Sequence, residues 1–125
     1  MTEVEHKTIL IVDKNLGFLA CLCEKLTDVG YTAVPTSDTN RAMPLLQKLN
    51  IAHVDALIVN LALPSTLKLL KLMSHRPLKI IAIEEAHITA VPGIKVDGIL
   101  HKPIGAAKDL TEEWLQTVRR VLAEK

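Results

Sequence analysis

The sequence lacks the features that mark membrane, secreted and nucleic-acid-binding chains. Although 49% of its 125 residues are hydrophobic, no apolar run reaches the roughly eighteen residues that a membrane-spanning helix needs. Residues 1–7 are charged and have no apolar core, so they do not resemble a secretory signal. The net charge of +1 gives no electrostatic reason to bind nucleic acid. We expect a cytoplasmic chain with a flexible tail, residues 1–7, and one folded domain, residues 8–125.

Cysteine is scarce, and its placement argues against a disulfide or a metal site. Cys21 and Cys23 lie two residues apart in a predicted helix, and side chains at that spacing do not face each other. We therefore expect buried or half-buried free thiols. The five histidines are scattered without the spacing of metal ligands, so neither a metal nor a cofactor is expected.

What the chain does contain is four short apolar runs that each end on a polar or charged residue. The residues at these ends are Asp13, Asn60, Glu84 and His101. Short β-branched runs that alternate with helical stretches are typical of buried parallel strands, so we predict a three-layer α/β sandwich. In an open α/β sheet the functional crevice lies outside the carboxyl ends of the strands. These four ends therefore mark the candidate site.

The periodicity predicts five strands that alternate with helices. The predicted strands are 8–12, 31–34, 55–59, 78–83 and 96–100, and the predicted helices are 16–29, 38–49, 65–74 and 109–122. Asn15 is the expected N-cap of the first helix, and Gly30 is the expected left-handed residue after it. Trp114 is expected in the core, because it shares its helical spacing with Val118 and Val121. Between the last two strands, residues 91–93 (VPG) leave room for about one helical turn.

The order of elements and three segments resemble the receiver domain of bacterial two-component response regulators. The segments are residues 9–13 (ILIVD), 55–64 (DALIVNLALP) and 100–103 (LHKP). Pro64 stands four residues after position 60, and Lys102-Pro103 follows the fifth strand. The resemblance covers the chain after its first seven residues. It implies a doubly wound five-stranded parallel sheet of flavodoxin-like order 2-1-3-4-5 and a role in signal transduction.

The same resemblance assigns roles to positions in this chain. In such receivers an aspartate ending the third strand accepts a phosphoryl group, two acids after the first strand help to hold Mg²⁺, and a hydroxyl residue and a lysine end the last two strands. By position, this chain keeps the first acid as Asp13 and the lysine as Lys102. Lys14 replaces the second acid, Asn60 the phosphate acceptor and Glu84 the hydroxyl residue.

These replacements remove the chemistry that the resemblance implies. The neutral amide of Asn60 is a poor nucleophile and forms no stable acyl phosphate, and Mg²⁺ requires hard oxygen ligands. At a separation of about 4 Å and an effective dielectric of about 20, each altered charge pair is worth about 4 kcal/mol before desolvation. We therefore predict a degenerate pseudo-receiver: a non-enzymatic module with a degenerate phosphorylation pocket at 13, 14, 60, 84, 102 and 103.

Two interpretations of the altered charges remain open at this point. In the first, the Lys14 ammonium contacts Asp13 in place of the metal and Glu84 pairs with Lys102, which locks the domain in one state. In the second, the site has decayed and Lys14 and Glu84 point into solvent. Ile99, three residues before the lysine, occupies the usual place of an aromatic switch residue.

We expect the module to act through protein partners, namely a histidine kinase or an output domain, the latter expected to be joined after Lys125. The contact is expected on the last helix or on the first, and a homodimer stays open.

The competing class is a small-molecule or flavin-binding flavodoxin-like protein. Residues 13–17 (DKNLG) do not form the hydroxyl-rich and glycine-rich loop that it needs, and Phe18, Tyr31 and Trp114 are the only aromatic residues. An active receiver that uses Asp55 instead of Asn60 is excluded on geometry, because Asp55 begins its strand about 16 Å from the productive end.

Overall fold

A computed structural model of the protein describes residues 7–38, 41–42, 44, 54–60, 78–84, 96–101 and 111–123. Its strands and helices are β1 (Thr8–Val12), α1 (Leu16–Asp28), β2 (Thr32–Thr36), β3 (Ala56–Asn60), β4 (Lys79–Glu84), β5 (Gly98–His101) and α2 (Thr111–Ala123). Of the helices in these ranges, neither is both long and apolar enough to cross a membrane.

The five strands form one parallel sheet of order β2-β1-β3-β4-β5. This confirms the predicted flavodoxin-like order. β1 lies between β2 and β3, so the chain leaves β1 toward one edge of the sheet and then returns to its other side. The topological switch point therefore falls between β1 and β3, where ligand sites of this fold class lie.

Helix α1 begins at the predicted Leu16 and ends at Asp28, one residue before the predicted end. The Asn15 side-chain oxygen accepts a hydrogen bond from the Phe18 backbone N–H at 3.0 Å, which satisfies one of the helix's unpaired N–H groups. Gly30 has φ 104°, a left-handed conformation that costs a glycine little. The inward stripe of Leu19, Leu22 and Leu26 is buried, as its spacing predicts.

Helix α2 packs on the same face of the sheet as α1. Trp114, Val118 and Val121 are buried in one cluster with α1 and with alternate residues of the strands. The Trp114 indole N–H donates to the His101 backbone carbonyl at 2.8 Å, and its ring meets Phe18 edge to face with centroids 5.4 Å apart. The prediction that Trp114 belongs to the core is confirmed.

Strand β2 differs from the prediction, because it continues through Pro35 instead of ending before it. Proline is tolerated there because β2 is an edge strand. The Thr32 N–H donates to the Lys7 carbonyl, and the Thr36 carbonyl accepts from the Asp13 N–H. Both residues therefore face β1, and alternate residues such as Pro35 turn their backbone nitrogen to the open side, where no donor is needed.

Strands β3, β4 and β5 each end one residue later than predicted, and they also begin one or two residues later. Asn60 pairs with Ile83, and Glu84 pairs with His101, so the polar residues end the strands from within the ladder. The predicted helices 38–49 and 65–74, the shortened helix around 91–93 and the tail 1–6 lie outside the described residues, except that positions 41, 42 and 44 are helical.

Asp55 lies at the amino end of the sheet, as predicted, and has a structural role there. Its carboxylate accepts a hydrogen bond from the Thr8 N–H at 2.8 Å. At the same end of the sheet, the Asp97 carboxylate accepts a hydrogen bond from the Ile80 N–H at 2.8 Å. Both carboxylates satisfy backbone donors where strands begin, so Asp55 is committed far from the carboxyl ends of the strands.

Both cysteines are free thiols. Cys23 is half-buried, as expected, and this burial raises the pKa of its thiol. Cys21, in contrast, is exposed, because helical geometry turns a residue two positions away to a different side of α1. The expectation of burial is therefore wrong for Cys21.

Candidate functional site

Asp13 and Asn60 lie side by side at the carboxyl ends of β1 and β3. Val12 pairs with Val59 in the parallel register, so the next residue of each strand reaches the same level. Both side chains are buried, with 0% relative exposure. The carboxylate and the amide are therefore held within the protein interior at the switch point of the sheet.

The Asp13 carboxylate accepts a hydrogen bond on each of its oxygens. The Asn60 side-chain amide donates to Oδ2 at 2.8 Å, and the Asn15 backbone N–H donates to Oδ1 at 2.7 Å. The Asp13 backbone N–H donates in turn to the Thr36 carbonyl of β2 at 3.1 Å. Asp13 thus connects the carboxyl ends of three neighbouring strands, β2, β1 and β3.

These bonds explain how a carboxylate can be buried at this position. An ionised carboxylate that loses water needs strong donors in its place, and Asp13 has a side-chain and a backbone donor. Among the described side chains no buried polar atom lacks a hydrogen-bond partner. Asn15 has a double role, because its N–H binds Asp13 while its side chain caps α1. The start of α1 is therefore fixed relative to the carboxylate.

The structure places Lys14 away from Asp13. Its side chain is exposed, and no ion pair joins the two within the described part of the chain. Consecutive residues that leave a strand point to opposite sides, which separates the ammonium from the buried carboxylate. For Lys14 the structure agrees with the solvent-facing interpretation and does not contain the contact with Asp13 that the internal-mimic interpretation needs.

The other half of the predicted site is only partly described. The backbone of Glu84 ends β4 opposite His101 of β5, while the Glu84 side chain, Lys102 and Pro103 lie outside the described residues. The predicted ion pair between Glu84 and Lys102 stays a prediction. Ile99, at the aromatic switch position, is 38% exposed on the face of β5 opposite the buried Leu100.

The predictions from sequence missed the direct bond between Asp13 and Asn60. In the predicted order 2-1-3-4-5 the first and third strands are neighbours, so the residues that follow Val12 and Val59 had to meet. The strand order contains this information, whereas the charges of Lys14 and Glu84 do not reveal it. Thr36, whose backbone carbonyl binds Asp13, carries no signal in the sequence.

Searches for relatives by sequence found no match, neither to a protein-family model nor to a curated protein. Solved structures, in contrast, are similar over almost the whole chain. A putative response regulator from Chloroflexus aurantiacus has a TM-score of 0.77 at 23% identity and covers 96% of this chain and 100% of its own. A response regulator from Thermotoga maritima has a TM-score of 0.76 at 14% identity, with coverages of 95% and 99%.

The chemotaxis response regulator CheY4 of Vibrio cholerae is a third similar structure, with a TM-score of 0.73 at 21% identity and coverages of 93% and 98%. The chain therefore has the fold of response regulator receiver domains. The flavin-binding alternative is not favoured by these likenesses. At such identities the likeness concerns the fold, so the function has to be argued from the site.

Proposed function

We propose that this chain is a receiver-like signal-transduction module of the cytoplasm that is not phosphorylated at Asn60 and acts by binding protein partners. The receiver fold supports the module, and one observation supports the loss of phosphorylation. That observation is the hydrogen bond, 2.8 Å long, that the buried Asn60 amide donates to Asp13.

The chemistry of the amide group carries the argument. Transfer of a phosphoryl group to a side chain requires an anionic oxygen that attacks phosphorus and then forms an acyl phosphate. The amide of Asn60 has no negative charge, and its nitrogen lone pair is delocalised into the carbonyl group. Its N–H donates to Asp13, so the group acts as a hydrogen-bond donor at the position where the resemblance implies a nucleophile.

The residues at this position do not fit Mg²⁺. This ion demands near-octahedral oxygen coordination and usually binds through one or two carboxylates. The two oxygens of Asp13 already accept N–H bonds from Asn15 and Asn60. The second acidic position holds Lys14, which offers no oxygen ligand. In the described residues no three potential ligands come together in a metal-binding group.

A site of this kind has one resting arrangement. In a site with carboxylates at both positions, a cation must offset their repulsion. Here the Asn60 amide donates a hydrogen bond to Asp13, so the carboxyl ends of β1 and β3 attract each other directly. A domain whose site does not change by phosphorylation transmits information through the presence, amount or modification of the partners that it binds. A histidine kinase and an output domain are the partner classes that we propose.

A phosphoryl donor and a phosphate mimic test the proposal. The wild-type domain is incubated with acetyl phosphate, and separately with beryllium fluoride, in excess Mg²⁺. We expect no increase in mass and no change in the amide nuclear magnetic resonance spectrum. A matched sample of a phosphorylatable receiver is the positive control. A labile phosphate on the wild-type chain, or Mg²⁺ coordinated beside Asp13, would overturn the proposal.

A further inference from the structure

A cleft of about 600 Å³ lies beside the candidate site, between α1 and the end of β2. The described residues that line it include Leu16, Leu19 and Ala20 of α1, Pro35 of β2, and Pro44. Its volume falls within the range of about 300–1,000 Å³ that is typical of small-molecule sites. A single side chain of a partner protein would fill only a small part of it.

The apolar surface of the cleft is not covered by the described part of the chain. Leu16 is 70% exposed although it is the first residue of α1 and a large aliphatic side chain. Leu19, one turn further, is buried at the floor. If the aliphatic part of a ligand packed against Leu16, the apolar surfaces of the ligand and of Leu16 would both be removed from water. This burial stabilises the complex by roughly 25 cal/mol for each Å² of apolar surface.

Polar residues also line the cleft. These are Arg41, Ser37 and Thr36, and the Thr36 hydroxyl group is hydrogen-bonded to the backbone of Asp38. The Arg41 side chain is exposed, and no hydrogen bond or ion pair joins it to another residue that the structure describes. Among the described lining residues there is no carboxylate. The described part of the lining thus presents the Arg41 guanidinium and the Ser37 hydroxyl group next to apolar side chains.

We infer that this cleft binds a small amphipathic carboxylate. The aliphatic part would lie against Leu16, Leu19 and Pro35, and the carboxylate would pair with the Arg41 guanidinium, whose planar fork matches it in two hydrogen bonds. A neutral apolar ligand would leave the guanidinium without a partner, and a cation would be repelled by it. This inference is independent of whether Asn60 accepts a phosphoryl group.

Octanoate and 1-octanol, which differ mainly in the charge of the head group, are the matched probes. Each is titrated into the 125-residue chain while amide resonances are recorded. We expect octanoate to shift the signals of residues 16–20, 35–37 and 41, and we expect 1-octanol to bind about tenfold more weakly, because it lacks the charge-assisted bonds.

Three variants make the assignment specific. Arg41→Gln should weaken octanoate binding about tenfold and leave 1-octanol unchanged. Arg41→Lys should retain most of the affinity, and Arg119→Gln, on the exposed side of α2, should retain all of it. Both arginines are exposed, so the variants are expected to fold.

The proposal is overturned by any of three results. The first is octanoate shifts that are spread over the surface, and the second is equal octanoate affinity of Arg41→Gln and the wild type. The third is binding of a peptide rich in leucine and glutamate at this cleft when octanoate does not bind, which would assign the cleft to a protein partner.

Discussion

Asparagine at position 60 donates a hydrogen bond to Asp13, whereas a carboxylate at the same position would repel Asp13. Two carboxylates at the Asp13 to Asn60 distance of 2.8 Å could not both be ionised without a cation between them. The amide donates where a carboxylate would repel, and it keeps nearly the same shape. One residue therefore changes the chemistry at this position from repulsion to hydrogen bonding.

Asn60→Asp should consequently destabilise the protein at neutral pH. It replaces the donor by a second buried negative charge, and an uncompensated charge of this kind costs about 3–5 kcal/mol. The free energy of unfolding, measured by urea titration, should fall by this amount. It should recover as the pH is lowered toward about 4, because a protonated carboxyl group can donate to its neighbour.

Asn60→Leu is the control for this prediction, because it removes the donor without adding a charge. We expect it to cost about 1–3 kcal/mol, the penalty for an unsatisfied buried group, with no recovery in acid. An Asn60→Asp variant as stable as the wild type at neutral pH would show that the two side chains move apart with little cost, and the argument from repulsion would fail.

The two cysteines should differ in reactivity. Cys21 is exposed, whereas burial of the Cys23 thiol raises its pKa and so lowers its thiolate fraction. Iodoacetamide at about pH 7.5 should therefore alkylate Cys21 first, as peptide mass spectrometry can measure, and labelling of Cys23 should accelerate as the pH rises. In urea the difference should vanish. Faster labelling of Cys23 in the native protein would contradict this reading of α1.

For single residues, the sequence predicts which residues belong to the site more reliably than it predicts their hydrogen-bond partners. Asp13 and Asn60 are recognisable as site residues because each follows a buried apolar run, and Asn15 because it precedes a helical stripe. Which N–H groups donate to the Asp13 carboxylate depends on small differences in the distances between donors and the carboxylate oxygens, and the sequence does not give these distances. The exposed Lys14 and the backbone carbonyl of Thr36 could be placed only by the three-dimensional structure.

At the scale of elements, the contact of β5 with α2 depends on a residue without a side chain. A Cβ added to Gly98 would lie 2.7 Å from Val121 Cγ2 and 3.1 Å from Thr117 Cγ2. Since Val121 is fully buried, its side chain cannot easily move away. The close approach of α2 to the edge strand therefore requires glycine at position 98.

Gly98→Ala should destabilise the protein by about 1–3 kcal/mol, the usual cost of overpacking. The double variant Gly98→Ala with Val121→Ala should show coupling, because the second change removes the clashing methyl group. Thermal or urea unfolding of the four proteins of this cycle provides the measurement. Strict additivity would mean that α2 shifts as a body and that the clash is not local.

Gly17→Ala is the matched control, since Gly17 lies inside α1 and is exposed. The nearest atom to its added Cβ is Asn15 Oδ1, at an ordinary 3.4 Å. Alanine should therefore stabilise the helix by about 0.5–1 kcal/mol. The same substitution is thus expected to have opposite signs in α1 and in β5.

Local rules predict the elements well where they act alone. The cap at Asn15 and the left-handed Gly30 give both ends of α1, because each is a property of a few adjacent residues. The predicted end of β2 was wrong, because the effect of Pro35 depends on whether its strand lies at the edge of the sheet. Edge position is a property of the whole topology, and local rules do not contain it.

At the scale of the whole molecule, the chain has the fold of response regulator receiver domains, and we propose that its residues at positions 14, 60 and 84 prevent metal binding. If these residues alone are responsible, replacing them with the residue types of a receiver should produce a metal site. We expect the triple variant Asn60→Asp, Lys14→Asp, Glu84→Thr to bind Mg²⁺, as measured by titration calorimetry, and we expect the wild type not to bind it. No binding by a folded triple variant would show that the loops around the site, and not only its acids, prevent coordination.

The partner surface can be located by comparing the two described helices. The exposed side of α2 presents Gln116 and Arg119, and that of α1 presents Glu24 and Thr27. Arginine is enriched and glutamate depleted at protein interfaces, so we expect the contact on α2. Replacing Gln116 and Arg119 by alanine should weaken binding of the partner protein about tenfold or more. The same change at Glu24 and Thr27 should have little effect, and a reversed order would place the contact on α1.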